Sequence, residues 1–349
     1  MNHDDAFATR LLAWFDRNGR HDLPWQHPRA PYRVWLSEIM LQQTQVAVVI
    51  PYFQRFVEAL PDVAALAAAP QDRVLALWSG LGYYARARNL HAAARACVER
   101  HGGDLPRDFD ALVALPGIGR STAGAILSQA WGDRFAILDG NVKRVLARWH
   151  GVTGWPGQPA VERVLWDHAR SHLPDTRLAD YTQAQMDLGA TLCTRHAPHC
   201  LLCPVAEGCI ARRDGLTGDL PTPKPGKTLP EREAHMVLLQ DGDGRVLLQR
   251  RPGTGVWAAL WSLPEADDAA SARVLAATLA GIDGEGDALP EVRHGFSHYR
   301  LTIRPWRWRG VTPAARVGDN DALQWVASDA LAALGLPAPI RRLLLDALA

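Results

Sequence analysis

Between Leu115 and Trp149 the chain reads LPGIGRSTAGAILSQAWGDRFAILDGNVKRVLARW, and this stretch leaves few folds open. Pro116-Gly117-Ile118-Gly119 interrupts two apolar-periodic segments and predicts a tight turn between helices, because glycine enters the positive-φ region that closes a helix without steric cost. The next helix is predicted to start at Arg120 or Ser121, with its free N–H groups and positive dipole end facing that turn. Such an arrangement can hold one phosphate and reads no base. The same residues also suit an ordinary turn. Further on, Ile137-Leu138-Asp139-Gly140-Asn141 leads into a second helix, whose Val142, Val145, Leu146 and Trp149 fall at i, i+3, i+4 and i+7. Asp139 stands at its N-cap position, which is already a structural reason for an aspartate there.

A chain of 349 residues is expected to hold two domains and to bury a large core. No apolar run reaches the length of a membrane span, and MNHDDAFATR has neither a signal core nor a basic transit pattern, so the expectation is a soluble, cytoplasmic protein. Charge is nearly balanced, with 38 Lys+Arg against 37 Asp+Glu, and any surface for nucleic acid must be a local patch. Lysine is scarce: Lys143, Lys224 and Lys227 complete the set, so Schiff-base chemistry has one amine to draw on before residue 215.

Of the 5 cysteines, Cys193, Cys200, Cys203 and Cys209 crowd together with spacings of six, two and five residues. Cys97 stands apart in an alanine-rich helix as a small buried residue. The odd count, the clustering and the lack of a secretion signal argue against disulfides. Four thiolates suit zinc or an iron–sulfur cluster; zinc sites usually pair two CxxC knuckles and one is present here, which favours [4Fe–4S].

Up to about residue 190 the pattern is helix after helix, so residues 1–215, with the cysteine loop 193–209, are expected to be an all-α domain. Residues 216–230, LTGDLPTPKPGKTLP, form a stiff proline-rich connector. From 231 to 349 the domain is expected to be α+β. Met236–Gln240 and Arg245–Gln249 flank Asp241-Gly242-Asp243-Gly244 as a hairpin, Tyr299–Ile303 and Trp306–Arg309 alternate like two further strands, and helices fall near 269–280 and 337–348.

The motifs LPGIGRSTAGAIL and ILDGNVKRVLARW, with the cysteine loop, resemble the MutY-type adenine DNA glycosylases of the helix-hairpin-helix, iron–sulfur superfamily. The second domain is similar to the Nudix fold of the MutT type. ALWSLPEADDAASARVLAATLA lacks the glutamate-rich helix that holds magnesium in a Nudix hydrolase, so pyrophosphohydrolase activity is not expected. The resemblance implies a monofunctional enzyme that flips adenine out of duplex DNA, opposite 8-oxoguanine or guanine, and leaves an abasic site. It also implies a [4Fe–4S] cluster on the four cysteines, a monomer without membrane association, and a bacterial, nucleoid-associated location.

Carried over residue by residue, the resemblance implies that Glu38, in WLSEIMLQQTQV, is the acid that protonates the purine at N7 and later activates water. Asp139 becomes the carboxylate that stabilises the oxocarbenium ion or attacks it transiently. From residues alone two readings of Glu38 stand: its apolar neighbours Trp35, Ile39 and Leu41 suit a dry pocket that raises a carboxyl pKa, and the alternative is a surface glutamate beside Ser37. Gln43 and Thr44 in Gln42-Gln43-Thr44, and Leu81 and Tyr83 in Leu81-Gly82-Tyr83-Tyr84, match two insertion loops, although glycines beside tyrosines also suit a plain turn. Gly117, Gly119 and Ser121 belong to the DNA-backbone hairpin, and Ser121 stands where the bifunctional endonuclease III type carries its lysine nucleophile. Phe296, Ser297 and His298, within HGFSHY, resemble the lesion-recognition loop; the alternative is a strand start with a capped turn. Two other classes stay open from residues alone: a non-catalytic DNA-binding module, and a nucleotide hydrolase centred on 231–349.

Overall fold

A computed structural model describes residues 3–226, 228–282, 284–312 and 322–348, so Lys227 lies outside the described residues. The chain divides into two compact units, one of Met1–Ala67 with Ala92–Gly226 and the other of Ala68–His91 with Lys227–Ala349.

The helices run in chain order as α1 (His3–Asn18), α2 (Pro31–Leu41), α3 (Val46–Ala59), α4 (Val63–Ala68), α5 (Gln71–Trp78), α6 (Ala85–Arg100), α7 (Phe109–Val113), α8 (Arg120–Trp131), α9 (Gly140–Trp149), α10 (Pro159–Ser171), α11 (Leu178–Thr191) and α12 (Ile210–Arg213). Pro31 sits in the first turn of α2, where its missing N–H costs nothing. The first helix of the hairpin, α7, is short, and Asp108 caps it by accepting from the Ala111 N–H at 2.8 Å. The α8 helix starts at Arg120, as the glycine pattern predicts.

Helix α9 is wedged between two apolar clusters rather than resting one face on a single core. Val145 and Trp149 join Phe7, Leu11, Phe15, Tyr181 and Leu188. Val142 and Leu146 pack with Ile137, Leu138, Leu165 and Trp166 on the other side. Each large side chain so buried contributes about 1.5–3 kcal/mol. That packing fixes the start of α9, and with it Asp139.

The second unit carries, in chain order, β1 (Glu231–Asp241), β2 (Val246–Arg250), β3 (Trp261–Ser262), β4 (Glu265–Ala266), α13 (Ala269–Ala280), β5 (Asp287–Ala288), β6 (Val292–Gly295), β7 (Arg300–Val311), β8 (Leu323–Val326) and α14 (Ala338–Leu348). Strand β1 pairs antiparallel with β2, with Gln240 opposite Val246, and parallel with β7. Both faces of β1 are buried by its period of two. Met236 and Leu238 join Val246, Leu248, Ile340 and Leu344. Val237 and Leu239 face Ala272, Ala276 and Trp308 on the other side.

The hairpin at 241–244 and the helices at 269–280 and 338–348 match expectation, while the two strands predicted at 299–303 and 306–309 are one strand, β7. Pro305 breaks the sequence pattern without breaking the strand. Strand β6 pairs with β7 as far as Ile303, and β5 takes over at Trp306, so the missing proline N–H falls where the neighbouring strand changes.

Candidate active site

The first unit holds a cavity of ≈ 940 Å³ lined by Glu38, Asp139, Asn141, Arg144, Ser121 and Gln43, among others. That size accommodates one flipped nucleotide. Asp139 reaches the cavity because the segment before α9 runs tightly along α8. At Gly124 a Cβ would lie 2.5 Å from the Ala136 carbonyl oxygen, so a larger residue would push the two apart. Ser128 Oγ donates to the Phe135 carbonyl at 2.9 Å, and Ser121 Oγ accepts from the Leu138 N–H at 2.9 Å.

Asp139 caps α9, accepting from the Val142 N–H at 2.8 Å. Burial raises its pKa, and the Val142 and Asn141 N–H groups with the Arg144 and Lys143 charges oppose that rise. Glu38 is shifted instead by burial and a like charge. Desolvation first, and then the charge of Asp139, push its pKa up to about 7, against one hydrogen bond from Gln129 Nε2 at 2.9 Å. Burial thus raises both carboxyls, but their surroundings differ: N–H donors and cations favour the charged form of Asp139, whereas the Asp139 charge disfavours that of Glu38.

Sequence reasoning missed Gln129, Asn141 and Arg144. Arg144 donates to Asn141 Oδ1 at 2.8 Å, to the Gly189 carbonyl at 2.8 Å and to the Cys193 carbonyl at 2.7 Å. Arg144 follows Asp139 on the same helix, so a cation facing the cysteine loop was legible in ILDGNVKR, but its partners were not.

The hairpin turn carries Gly117 at φ 79°, and Gly119 takes the extended N-cap position of α8 without a side-chain cap. The first-turn N–H groups of α8 therefore meet no side chain of Gly119. Gln43 and Tyr83 both hold left-handed backbone, at φ 57° and 49°. Such a conformation is costly outside glycine and collects at functional turns. Tyr83 is 51% exposed, whereas Leu81 is 6% exposed and packed beneath its turn. Thr44 donates its N–H to the Leu41 carbonyl at 3.2 Å, which closes the Gln43 turn.

The recognition candidates form the tip of the β6–β7 hairpin. Phe296 N–H donates to the Tyr299 carbonyl at 2.9 Å, and the two rings lie 4.6 Å apart. Ser297 and His298 are exposed at that tip, and Phe296 is half-buried.

Cys193, Cys200, Cys203 and Cys209 are not paired as disulfides, and Cys97 is buried elsewhere with its pKa pushed up to about 11 by desolvation. Among the described residues no group of three or more His, Cys, Asp or Glu is arranged so that it could hold a metal ion. The donor chemistry nonetheless fits a thiolate-bound cluster. Burial pushes Cys203 up to about 12, and the Cys193, Cys209 and Cys200 thiols raise it further, so all four influence one spot. Arg148, itself buried, donates to Cys193 Sγ at 3.5 Å and to the Thr194 carbonyl at 2.7 Å.

Residues 36–171 match the family of HhH-GPD superfamily base excision DNA repair proteins, and residues 235–346 match the NUDIX domain. The fold and site are therefore those of a helix-hairpin-helix DNA glycosylase with a Nudix-like second domain. The chain is 35% identical to the adenine DNA glycosylase of Buchnera aphidicola subsp. Acyrthosiphon pisum (strain APS), over 97% of this chain and 96% of that one. It is 36% identical to the human adenine DNA glycosylase, over 89% of this chain and 69% of that one. A thermostable thymine-DNA glycosylase structure superimposes with a TM-score of 0.55 at 26% identity, covering 60% of this chain and 97% of the other. The chain belongs to the MutY-type adenine DNA glycosylase family, whose members are base excision repair enzymes. Among the described residues no helix is long and apolar enough to cross a membrane.

Proposed function

We propose that this protein excises adenine paired with 8-oxoguanine, or with guanine, from duplex DNA and leaves an abasic site. The observation that carries the reading is the pair of cavity carboxyls. One is raised to about 7 by burial and the other is surrounded by N–H donors and cations.

The adenine is flipped into the cavity, and Glu38 gives its proton to N7. The C1′–N9 bond breaks and its electron pair leaves with the neutral base. Asp139 offsets the positive charge left on the sugar, or bonds to C1′ transiently. Water then adds to C1′ and returns a proton to Glu38, so the acid is regenerated. The Gly117–Gly119 turn, with Ser121 at the start of α8, grips a backbone phosphate. Gln43 and Tyr83 wedge beside the base opposite the flipped adenine, on the turns that carry Thr44 and the buried Leu81, and Phe296, Ser297 and His298 read that base.

In domain terms, 1–215 carries the chemistry, 216–230 is the connector and 231–349 reads the lesion, in a chain that acts as a monomer. Cys193, Cys200, Cys203 and Cys209 would hold a [4Fe–4S] cluster, whose iron–thiolate bonds would cross-link the loop. Protein purified without air is expected to carry about four iron and four sulfide per chain. Stoichiometric zinc instead would refute this.

The test is incubation with duplexes carrying adenine opposite 8-oxoguanine, guanine or thymine, with abasic sites assayed by alkali. Abasic product from the first two supports the reading, and intact adenine in every duplex refutes it. Strand cleavage is expected to need added alkali, because Ser121 replaces the lysine nucleophile and Lys143 is paired with Glu162 at 2.7 Å. Prompt β-elimination coupled to base release would overturn the monofunctional assignment.

A further inference from the structure

Residues 68–91 fall within the stretch that matches the HhH-GPD family, yet they pack into the same compact unit as the β-sheet. Several side chains make that attachment specific. The Leu336 carbonyl accepts from Tyr84 Oη at 2.9 Å and from Ser79 Oγ at 3.1 Å. Arg88 Nη1 donates to the Ala258 carbonyl at 2.9 Å, and Arg250 pairs with Asp72 at 2.8 Å. Gly335 permits the close approach, since a Cβ there would lie 2.8 Å from Leu75 Cβ.

The turn that receives Arg88 is itself strained. Trp257 and Ala259 hold φ of 56° and 60° without being glycine. Ala259 N–H donates to the Pro252 carbonyl at 2.9 Å and Leu260 N–H to the Trp257 carbonyl at 3.0 Å, which fixes that conformation. Its effect is to aim the Trp257 ring at the recognition hairpin, 5.5 Å from the Phe296 ring and 5.9 Å from His294. A continuous line of contacts therefore runs from the Tyr83 turn through Arg88, Ala258 and Trp257 to Phe296.

We propose that the 252–260 turn is a bridge that fixes the Tyr83 turn and the 296–298 tip as one body, with Arg88 and Trp257 as positioning residues for discrimination between 8-oxoguanine and guanine. This rests on the proposed roles of Tyr83 and of the 296–298 tip. Two independently moving loops would each lose conformational freedom on meeting DNA. Joined through the turn, they are ordered together, and seating of Ser297 on the opposite base also seats Tyr83. Strained backbone persists where the surroundings over-determine it, as the two hydrogen bonds across the turn do here.

The experiment is a double-mutant cycle on the full-length protein. Single-turnover excision opposite 8-oxoguanine and opposite guanine is measured for Arg88→Ala, for Trp257→Ala, for the triple variant Phe296→Ala/Ser297→Ala/His298→Ala, and for each single change combined with the triple. Arg88→Ala and Trp257→Ala are each expected to lower the preference for 8-oxoguanine by about three- to tenfold, to leave the guanine rate within about twofold, and to add nothing in the triple background. Arg88→Lys, which keeps a donor, is expected to restore most of the preference. If the triple variant loses preference while both single changes keep it, or add to it independently, the bridge is overturned and the recognition role of the tip stands. If the triple variant itself keeps full preference, the recognition role fails and the bridge fails with it.

Discussion

The cavity of Glu38 and Asp139 and the hairpin proposed to read the lesion are built on opposite terms. Glu38 and Asp139 sit on helices whose neighbours are fully packed, and their protonation is set by burial and by donors held in place. Ser297 and His298 stand in solvent at a hairpin tip, steadied by a ring cluster and one backbone hydrogen bond. The contrast suits what each is proposed to do. A carboxyl with a pKa near 7 requires low dielectric, so it must be enclosed. A group that reads a base inside a duplex requires reach, so it must be exposed. Loss of an enclosed charge should therefore cost far more than loss of an exposed contact.

The sharpest way to break the comparison is at Asp139. Asp139→Asn keeps the shape and much of the cap but cannot offset positive charge at C1′. Excision is expected to fall by about a thousandfold or more while binding to uncleaved duplex persists. Glu38→Gln should lose activity on the same scale, since an amide cannot donate the proton. Single-turnover assays with gel-shift binding check both, and near-normal turnover in either would end the assignment.

Next in size is the pH profile. In the proposed mechanism the acid form of Glu38 is the active one, so the rate should fall by about tenfold per unit above its pKa of about 7, or roughly fiftyfold between pH 7 and 9. The stability sign runs the same way. A carboxyl raised in the folded state binds its proton more tightly there than unfolded, so stability falls as pH rises from the ordinary glutamate range through about 7. Glu38→Gln should flatten that slope in denaturant titrations; an unchanged slope would mean that Glu38 does not titrate there.

How much of this was legible in sequence differs between the two regions for the same physical reason. Helix α9 and its cap were readable because Asp139, Val142, Val145, Leu146 and Trp149 obey a local period. The turn at Gly117 was readable because positive φ selects glycine. Glu38 was not distinguishable by local pattern from a surface glutamate; its partner Gln129 lies 91 residues away, and only folding brings them together. Pro305 was misleading, since a strand that changes neighbours can carry a proline that a uniformly paired one cannot. The attachment of residues 68–91 to the sheet unit left no sequence signal, because hydrogen bonds to the Leu336 and Ala258 carbonyls can be made to any residue type.

At the recognition tip the expected effect is smaller. Each hydrogen bond from Ser297 to the N7/O8 edge, once buried against the base, is worth about 1–3 kcal/mol, or roughly five- to 150-fold in preference. The triple alanine variant of Phe296, Ser297 and His298 should therefore shrink the preference for 8-oxoguanine over guanine by about that factor, while residual excision survives on Glu38 and Asp139. Preference unchanged at matched salt would move lesion reading to the helical unit, with Thr44 the next residue to test.

The smallest effect is expected at Ser121, and it separates positioning in the cavity from recognition at the tip. Its hydroxyl accepts the Leu138 N–H one residue before Asp139. Ser121→Ala leaves that N–H without its acceptor, at a cost of about 1–3 kcal/mol, which corresponds to a melting temperature lower by about 2–12 °C. Asp139 is held in parallel by its cap on α9 and by the packing of Leu138, so the carboxylate should shift little and excision should fall only by about two- to fivefold. Ser121→Thr, which keeps the hydroxyl, should recover both. Because this bond lies within the helical unit, the ratio of rates opposite 8-oxoguanine and guanine should not change. A ratio that moves more than the rate itself would mean that the cavity also reads the opposite base, and the division of labour between enclosed chemistry and exposed recognition would be wrong.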